Sequence, residues 1–207
     1  MRNLLIFPGQ GSQFVGMGKA FSENFTQARD VFEEVNDSLS QSLTKIMWDG
    51  DIEDLTKTEN AQPAIMSVSI AIFRVLESEI GIDFGKIGYC AGHSLGEYSA
   101  LVASKALDLE TAAKLLKTRG ISMQKSVPIG QGAMAALIGS SIEQAEQLAK
   151  KISYQKIDLV CDVANDNAPG QVVLSGHADA IEAAINLSVD YGAKKAMRLP
   201  VSAPFHC

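Results

Sequence analysis

Ser94 lies between two glycines in Gly92-His93-Ser94-Leu95-Gly96, behind the short apolar run 87–91 and ahead of a helix-like segment, 95–106. A serine at a strand-to-helix turn in the spacing G-x-S-x-G is the nucleophile-elbow pattern. The turn lifts the hydroxyl clear of the sheet, the glycines remove side chains that would collide, and the helix aims its N–H groups at developing negative charge. The pattern points to nucleophilic attack on an acyl carbon; the plainer reading is a structural tight turn. A serine hydroxyl attacks poorly unless a base takes its proton, and the chain offers three histidines. His93 precedes the serine on the elbow and reads as a packing or pocket-shaping residue. His177 follows Gly176 at the start of a helix and reads as an exposed cap-region residue. By elimination His206 is the candidate base, with a surface histidine as the alternative. Arg119 falls on the flank of the apolar stripe Leu109, Ala112, Ala113, Leu116, Met123 of a predicted helix. Such an arginine must snorkel or meet an anion, either a carboxylate of this chain or one carried by a ligand. Position alone leaves both open.

The loop Pro8-Gly9-Gln10-Gly11-Ser12-Gln13 fails two phosphate-binding templates. The dinucleotide fingerprint needs a third glycine where Phe14 stands, and the P-loop needs Gly-Lys where Gly16-Met17 stands. It reads instead as a glycine-permitted turn after the first strand that presents backbone N–H groups, one of the places where an α/β enzyme keeps half of its oxyanion hole.

The elements that position these residues follow from patterning. Asn3–Phe7 predicts a buried strand. Residues 26–48 predict an amphipathic, broken helix ending near Gly50. Residues 61–80, apolar nearly all round with Pro63 in the first turn, predict a buried helix ended by Gly81–Gly85. Asp108 caps a helix over 109–125. Beyond the turn 127–130 the order is strand 133–138, helix 141–152, strand 159–164, polar turn 165–170, strand 171–174, helix 178–191 and strand 194–199. That β-α-β-β-α-β order is the split, ferredoxin-like unit. The expected partition is 1–126 with 199–207 as an α/β core and 127–198 as an inserted lobe.

Composition narrows the class. The 207 residues are 46% hydrophobic and 20% charged with net charge −6. No Lys/Arg run exceeds Lys194-Lys195, which argues against nucleic acid as a partner. The apolar stretch Leu4–Phe7 before Pro8 is too short for a signal-peptide core, and no run approaches a membrane span. Cys90, Cys161 and Cys207 lack metal-type spacing and read as reduced thiols, so the expectation is a cytoplasmic protein without a metal site.

Taken together, FPGQGSQ at 7–13, GHSLGEYSAL at 92–101, the arginine of KTRG at 117–120, APGQVVLSG at 168–176 and the closing PFHC resemble the malonyl-CoA:acyl carrier protein transacylase family. The blocks run from the first strand to the last residue in the family's order. The resemblance implies an α/β-hydrolase-like core with a parallel sheet plus a ferredoxin-like lobe. It implies transfer of malonyl from malonyl-CoA to the phosphopantetheine thiol of acyl carrier protein in fatty acid synthesis, through a malonyl-serine intermediate and without a cofactor. It assigns Ser94 as nucleophile, His206 as general base, the backbone N–H groups of Gln10 and Leu95 as oxyanion hole, and Arg119 as partner of the malonyl carboxylate. Phe205 resembles the bulky residue that excludes branched extender units. The family's chain continues past the histidine, so this sequence is expected to be a C-terminally truncated piece, impaired on its own. The readings that compete with it are a freestanding polyketide-synthase acyltransferase, a serine esterase or thioesterase, and a non-catalytic piece that only binds carrier protein.

Overall fold

The computed structural model describes residues 3–81, 86–128, 130–155, 158–201 and 203–207. Of the expected breaks, 82–85 in the first, Ile129 in the turn 127–130 and Ser202 in the closing segment lie outside the described residues. The fold is mixed α/β, with one parallel and one antiparallel sheet, and divides into two compact units, Met1–Ser122 and Met123–Cys207.

In the first unit, β1 (Asn3–Phe7) and β2 (Ile87–Gly92) pair in parallel, with Phe7 opposite Gly92. Both strands therefore end at the same edge, and the loop 8–13 and the Ser94 turn emerge there together. This carboxyl edge is where open parallel sheets hold their ligands. The predicted broken helix is α2 (Thr26–Leu39) and α3 (Leu43–Asp49). Ala28, Val31, Phe32 and Val35 of α2 are buried at helical spacing against α5 (Thr58–Val75), which continues as one π-helical turn over Leu76–Ile80. Pro63 stands in the second turn of α5 rather than the first, because the helix starts at Thr58. Its ring removes the bond that Glu59's carbonyl would otherwise accept. Two short helices, α1 (Lys19–Asn24) and α4 (Ile52–Thr56), were not legible: each is too short to show a period of 3.6. After the serine come α6 (Gly96–Ala103) and α7 (Leu109–Lys125), the latter capped as expected by Asp108, whose Oδ1 accepts the Thr111 N–H at 2.7 Å.

The second unit runs β3 (Gly132–Ile138), α8 (Ile142–Gln155), β4 (Cys161–Ala168), β5 (Gln171–His177), α9 (Ala178–Leu187) with a 3₁₀ turn to Tyr191, and β6 (Lys195–Arg198). The sheet order is β4-β5-β3-β6, antiparallel throughout. Period-two alternation sorts β3: Ala133, Ala135 and Leu137 join the core that includes Leu148 and Ile181 of the helices. Met134 faces the other way and packs with Val173, Ala203 and Phe205. β4 extends four residues beyond its predicted end and shrinks the turn to Pro169-Gly170. As an edge strand with two register shifts, it tolerates the polar run Asn165–Asn167 that signals a loop in sequence. Residues 199–207, expected with the first unit, group with the second. The reason is packing: Phe205 and Ala203 are buried there, and a Cβ on Gly132 would lie 2.7 Å from the Pro204 nitrogen.

Candidate active site

The Ser94 turn is strained and its neighbours hold it so. Ser94 has φ 54°, the left-handed region that costs a non-glycine residue about 1–2 kcal/mol. A Cβ on Gly92 would fall onto the backbone of Gly96 and Glu97, and one on Gly96 would lie 2.5 Å from the Phe7 carbonyl oxygen. The His93 N–H donates to that same Phe7 carbonyl at 3.1 Å, extending the β1–β2 register into the turn. Both glycines are therefore required by close backbone approach, and the elbow read from the sequence is present in geometry.

The loop 8–13 lies against the elbow. A Cβ on Gly9 would strike the His93 ring and lie 2.8 Å from its carbonyl oxygen, so His93 packs on the loop as expected. The loop closes on itself through Gly11 N–H to Gln13 Oε1 (2.8 Å) and Ser12 Oγ to the Gly9 carbonyl (3.0 Å). Gln10 Nε2 donates to Thr58 Oγ1 at 3.3 Å, tying the loop to the first turn of α5. Among the described residues, neither the Gln10 N–H nor the Leu95 N–H donates to a protein acceptor. Leu95 is 1% exposed and stands at the N-terminus of α6, where free N–H groups and the helix dipole favour an anion.

Arg119 reaches this turn from α7. Its Nη2 donates to Ser94 Oγ at 3.0 Å, and its Nη1 donates to Gln62 Oε1 at 2.5 Å. Of the two partners that position alone left open, no carboxylate of this chain pairs with Arg119 among the described residues. What brings α7 so close is Gly120: a Cβ there would lie 2.5 Å from Glu59 Cα and 2.7 Å from the Thr58 carbonyl oxygen. Two residues before Arg119, Lys117 Nζ donates to Gln41 Oε1 (2.8 Å) and Asn60 Oδ1 (3.0 Å). Burial lowers its pKa below the ordinary lysine value, with the Glu59 charge acting in the opposite direction.

The sequence reading missed the first turn of α5 altogether. Thr58, Asn60 and Gln62 are 3%, 7% and 0% exposed, and together they meet the Gln10 loop, Lys117 and Arg119. A cluster of polar residues at the head of an otherwise apolar segment was the available signal.

His206 belongs to the second unit. It is exposed, follows the buried Phe205, and has φ 62°. Phe205 packs with Met134, Val173 and Ala203. His177 caps α9, and its Nδ1 accepts the Val160 N–H at 2.8 Å, so it serves the lobe's own backbone.

The profile of the acyl transferase domain matches residues 4–204, nearly the whole chain. The chain belongs to the acyl transferase domain family. Within it, the chain is 46% identical over 202 residues to the malonyl CoA-acyl carrier protein transacylase of Bacillus subtilis (strain 168), covering 97% of this chain and 62% of that protein. The crystal structure of the acyl-carrier-protein-S-malonyltransferase from Bartonella henselae superposes with a TM-score of 0.93 at 48% identity, covering 100% of this chain and 65% of the other. A malonyl-transacylase bound to a type II PKS acyl-carrier protein gives a TM-score of 0.93 at 38% identity, again with 65% of that chain covered. This acyl transferase domain chain thus spans less than two thirds of the length of these relatives. Among its described residues no helix is long and apolar enough to cross a membrane.

Proposed function

We propose that the protein transfers a malonyl group from malonyl-CoA to the phosphopantetheine thiol of acyl carrier protein, through an ester on Ser94. The observation that carries this reading is Arg119. A guanidinium 3.0 Å from the serine hydroxyl, anchored by a neutral amide, is a cation placed for a carboxylate that the acyl group itself brings. The planar fork of arginine suits a carboxylate bidentately, which a lysine would not.

In this mechanism His206 takes the Ser94 proton, and Ser94 Oγ attacks the thioester carbonyl. The oxyanion is received by the N–H groups of Gln10 and Leu95, and coenzyme A leaves as the protonated thiol. The carrier-protein thiol then attacks the malonyl ester with His206 again removing the proton, and Ser94 is regenerated. One oxyanion donor contributes about 3 kcal/mol to such steps; both donors here are backbone groups with no protein acceptor among the described residues. No step is routed through a metal or cofactor. The architecture that goes with this reading is an α/β-hydrolase-like core around β1 and β2, and a ferredoxin-like lobe. The lobe's element order and its strand order β4-β5-β3-β6 support the latter. We assign 1–126 to the core of the whole protein, 127–198 to the lobe, with which 199–207 group, and the cytoplasm as its location.

The acceptor is a carrier protein of fatty acid synthesis; the structural similarity to a transacylase in complex with a type II PKS acyl-carrier protein favours a polyketide carrier as the second reading. Intact-mass measurement after mixing the full-length protein with malonyl-CoA tests the assignment. A single malonyl adduct, discharged by holo carrier protein and absent in Ser94→Ala, is the expected result. An adduct that persists in Ser94→Ala refutes it.

A further inference from the structure

Gln62 is fully buried on α5, and its side-chain oxygen accepts from Arg119 Nη1 at 2.5 Å while Nη2 of the same guanidinium meets Ser94 Oγ at 3.0 Å. Arginine only donates, so the atom of Gln62 that faces it must be the carbonyl oxygen. An acidic residue would hold a guanidinium more tightly than an amide does. It would also offset the positive charge of the part-buried guanidinium and leave a ligand carboxylate less to gain. The first turn of α5 offers an amide to another cation of α7, since Lys117 is held by Asn60 together with Gln41 from the segment between α2 and α3.

We propose that Gln62 is the positioning residue that holds the Arg119 guanidinium beside Ser94 as an uncompensated cation, and so sets the preference for acyl groups that end in a carboxylate over neutral ones. The inference rests on the acyl transfer proposed above and assigns its specificity to a residue that would touch neither the acyl carbon nor the leaving group. Gln62 acts through geometry and through neutrality: it fixes one face of the guanidinium and leaves the remaining N–H groups and the full charge to the substrate.

The test uses the full-length enzyme, with malonyl-CoA and acetyl-CoA as paired acyl donors and kcat and KM measured separately for each. Gln62→Glu is nearly isosteric and places a carboxylate against Arg119. The malonyl kcat/KM is expected to fall by about ten- to a hundredfold, the value of a charge-assisted hydrogen bond. The loss is expected mainly in KM, while the acetyl value stays within about threefold. Gln62→Met, close in volume and lacking the acceptor, is expected to lower malonyl transfer selectively by loosening the guanidinium, and it carries the test if Gln62→Glu does not fold. Equal losses for both acyl groups, or a folded Gln62→Glu with undiminished malonyl preference, overturn the inference. If the unaltered enzyme forms no malonyl-serine, the proposed function fails and takes this inference with it. If it does form one and the variants lose both acyl groups alike, this inference alone falls.

Discussion

Replacing Gly120 by alanine separates the stability of α7 from its placement. Glycine in a helix interior is about 1 kcal/mol worse than alanine, so on propensity alone Gly120→Ala would stabilise α7, in which residue 120 is well inside the ends Leu109 and Lys125. The new Cβ would lie 2.5 Å from Glu59 Cα, where ordinary contact begins near 3.4 Å, so α7 and the head of α5 must separate by up to 0.9 Å. Overpacking of this kind costs about 1–3 kcal/mol. Set against the propensity gain, the net destabilisation is about 0–2 kcal/mol, and the protein stays folded. The active site does less well. A 0.9 Å separation taken along the bonds would stretch Arg119–Gln62 from 2.5 to 3.4 Å and Arg119–Ser94 from 3.0 to 3.9 Å, the second beyond hydrogen-bonding range. Misplacement by about 1 Å can lower a rate about a hundredfold. We therefore expect the full-length Gly120→Ala protein to melt within several degrees of the unaltered one and to form malonyl-Ser94 about a hundredfold more slowly. Melting followed by circular dichroism and single-turnover malonylation measure the two effects. A variant that gains the whole propensity increment and acylates at the original rate refutes the argument, because the helices would then have made room without moving Arg119.

Further outcomes follow from the same geometry. Arg119→Ala in the full-length protein should lower malonyl kcat/KM by at least about a hundredfold, since it removes two charge-assisted bonds of about 1.5–3 kcal/mol each; acetyl transfer should change little, and equal losses in paired assays would make Arg119 structural. Asp108→Ala should destabilise the protein at neutral pH, because the carboxylate accepts the Thr111 N–H at the start of α7. That bond holds the Asp108 pKa below its ordinary value, so its contribution is full above the unfolded-state pKa and is lost as pH falls through the lowered folded one. Thermal melts of the variant and the unaltered protein should therefore differ at neutral pH and converge in strong acid; a constant difference would contradict this origin.

Local pattern carried much of the fold. The Ser94 elbow, the apolar faces of α2, α5 and α7, the Asp108 cap and the β-α-β-β-α-β order of the second unit each rest on a period or a cap within one segment, and these are what a sequence displays. Errors fell where a segment was too short for its period or where tertiary context overrode composition, as in α1, α4 and the polar end of β4. The site divides the same way. The strained serine is written locally, since Gly92, Ser94 and Gly96 all act within one turn. The sequence also placed Arg119 on the flank of an apolar stripe, where it must snorkel or meet an anion, but its partner was beyond reach. Gln62 and Ser94 are 57 and 25 positions away, and only the packing of α7 on the first turn of α5, at the one position where glycine leaves room, decides that the guanidinium meets a neutral amide and the serine hydroxyl. Chemical identity is written residue by residue, whereas the charge left over for a ligand depends on which groups the folded chain has brought together.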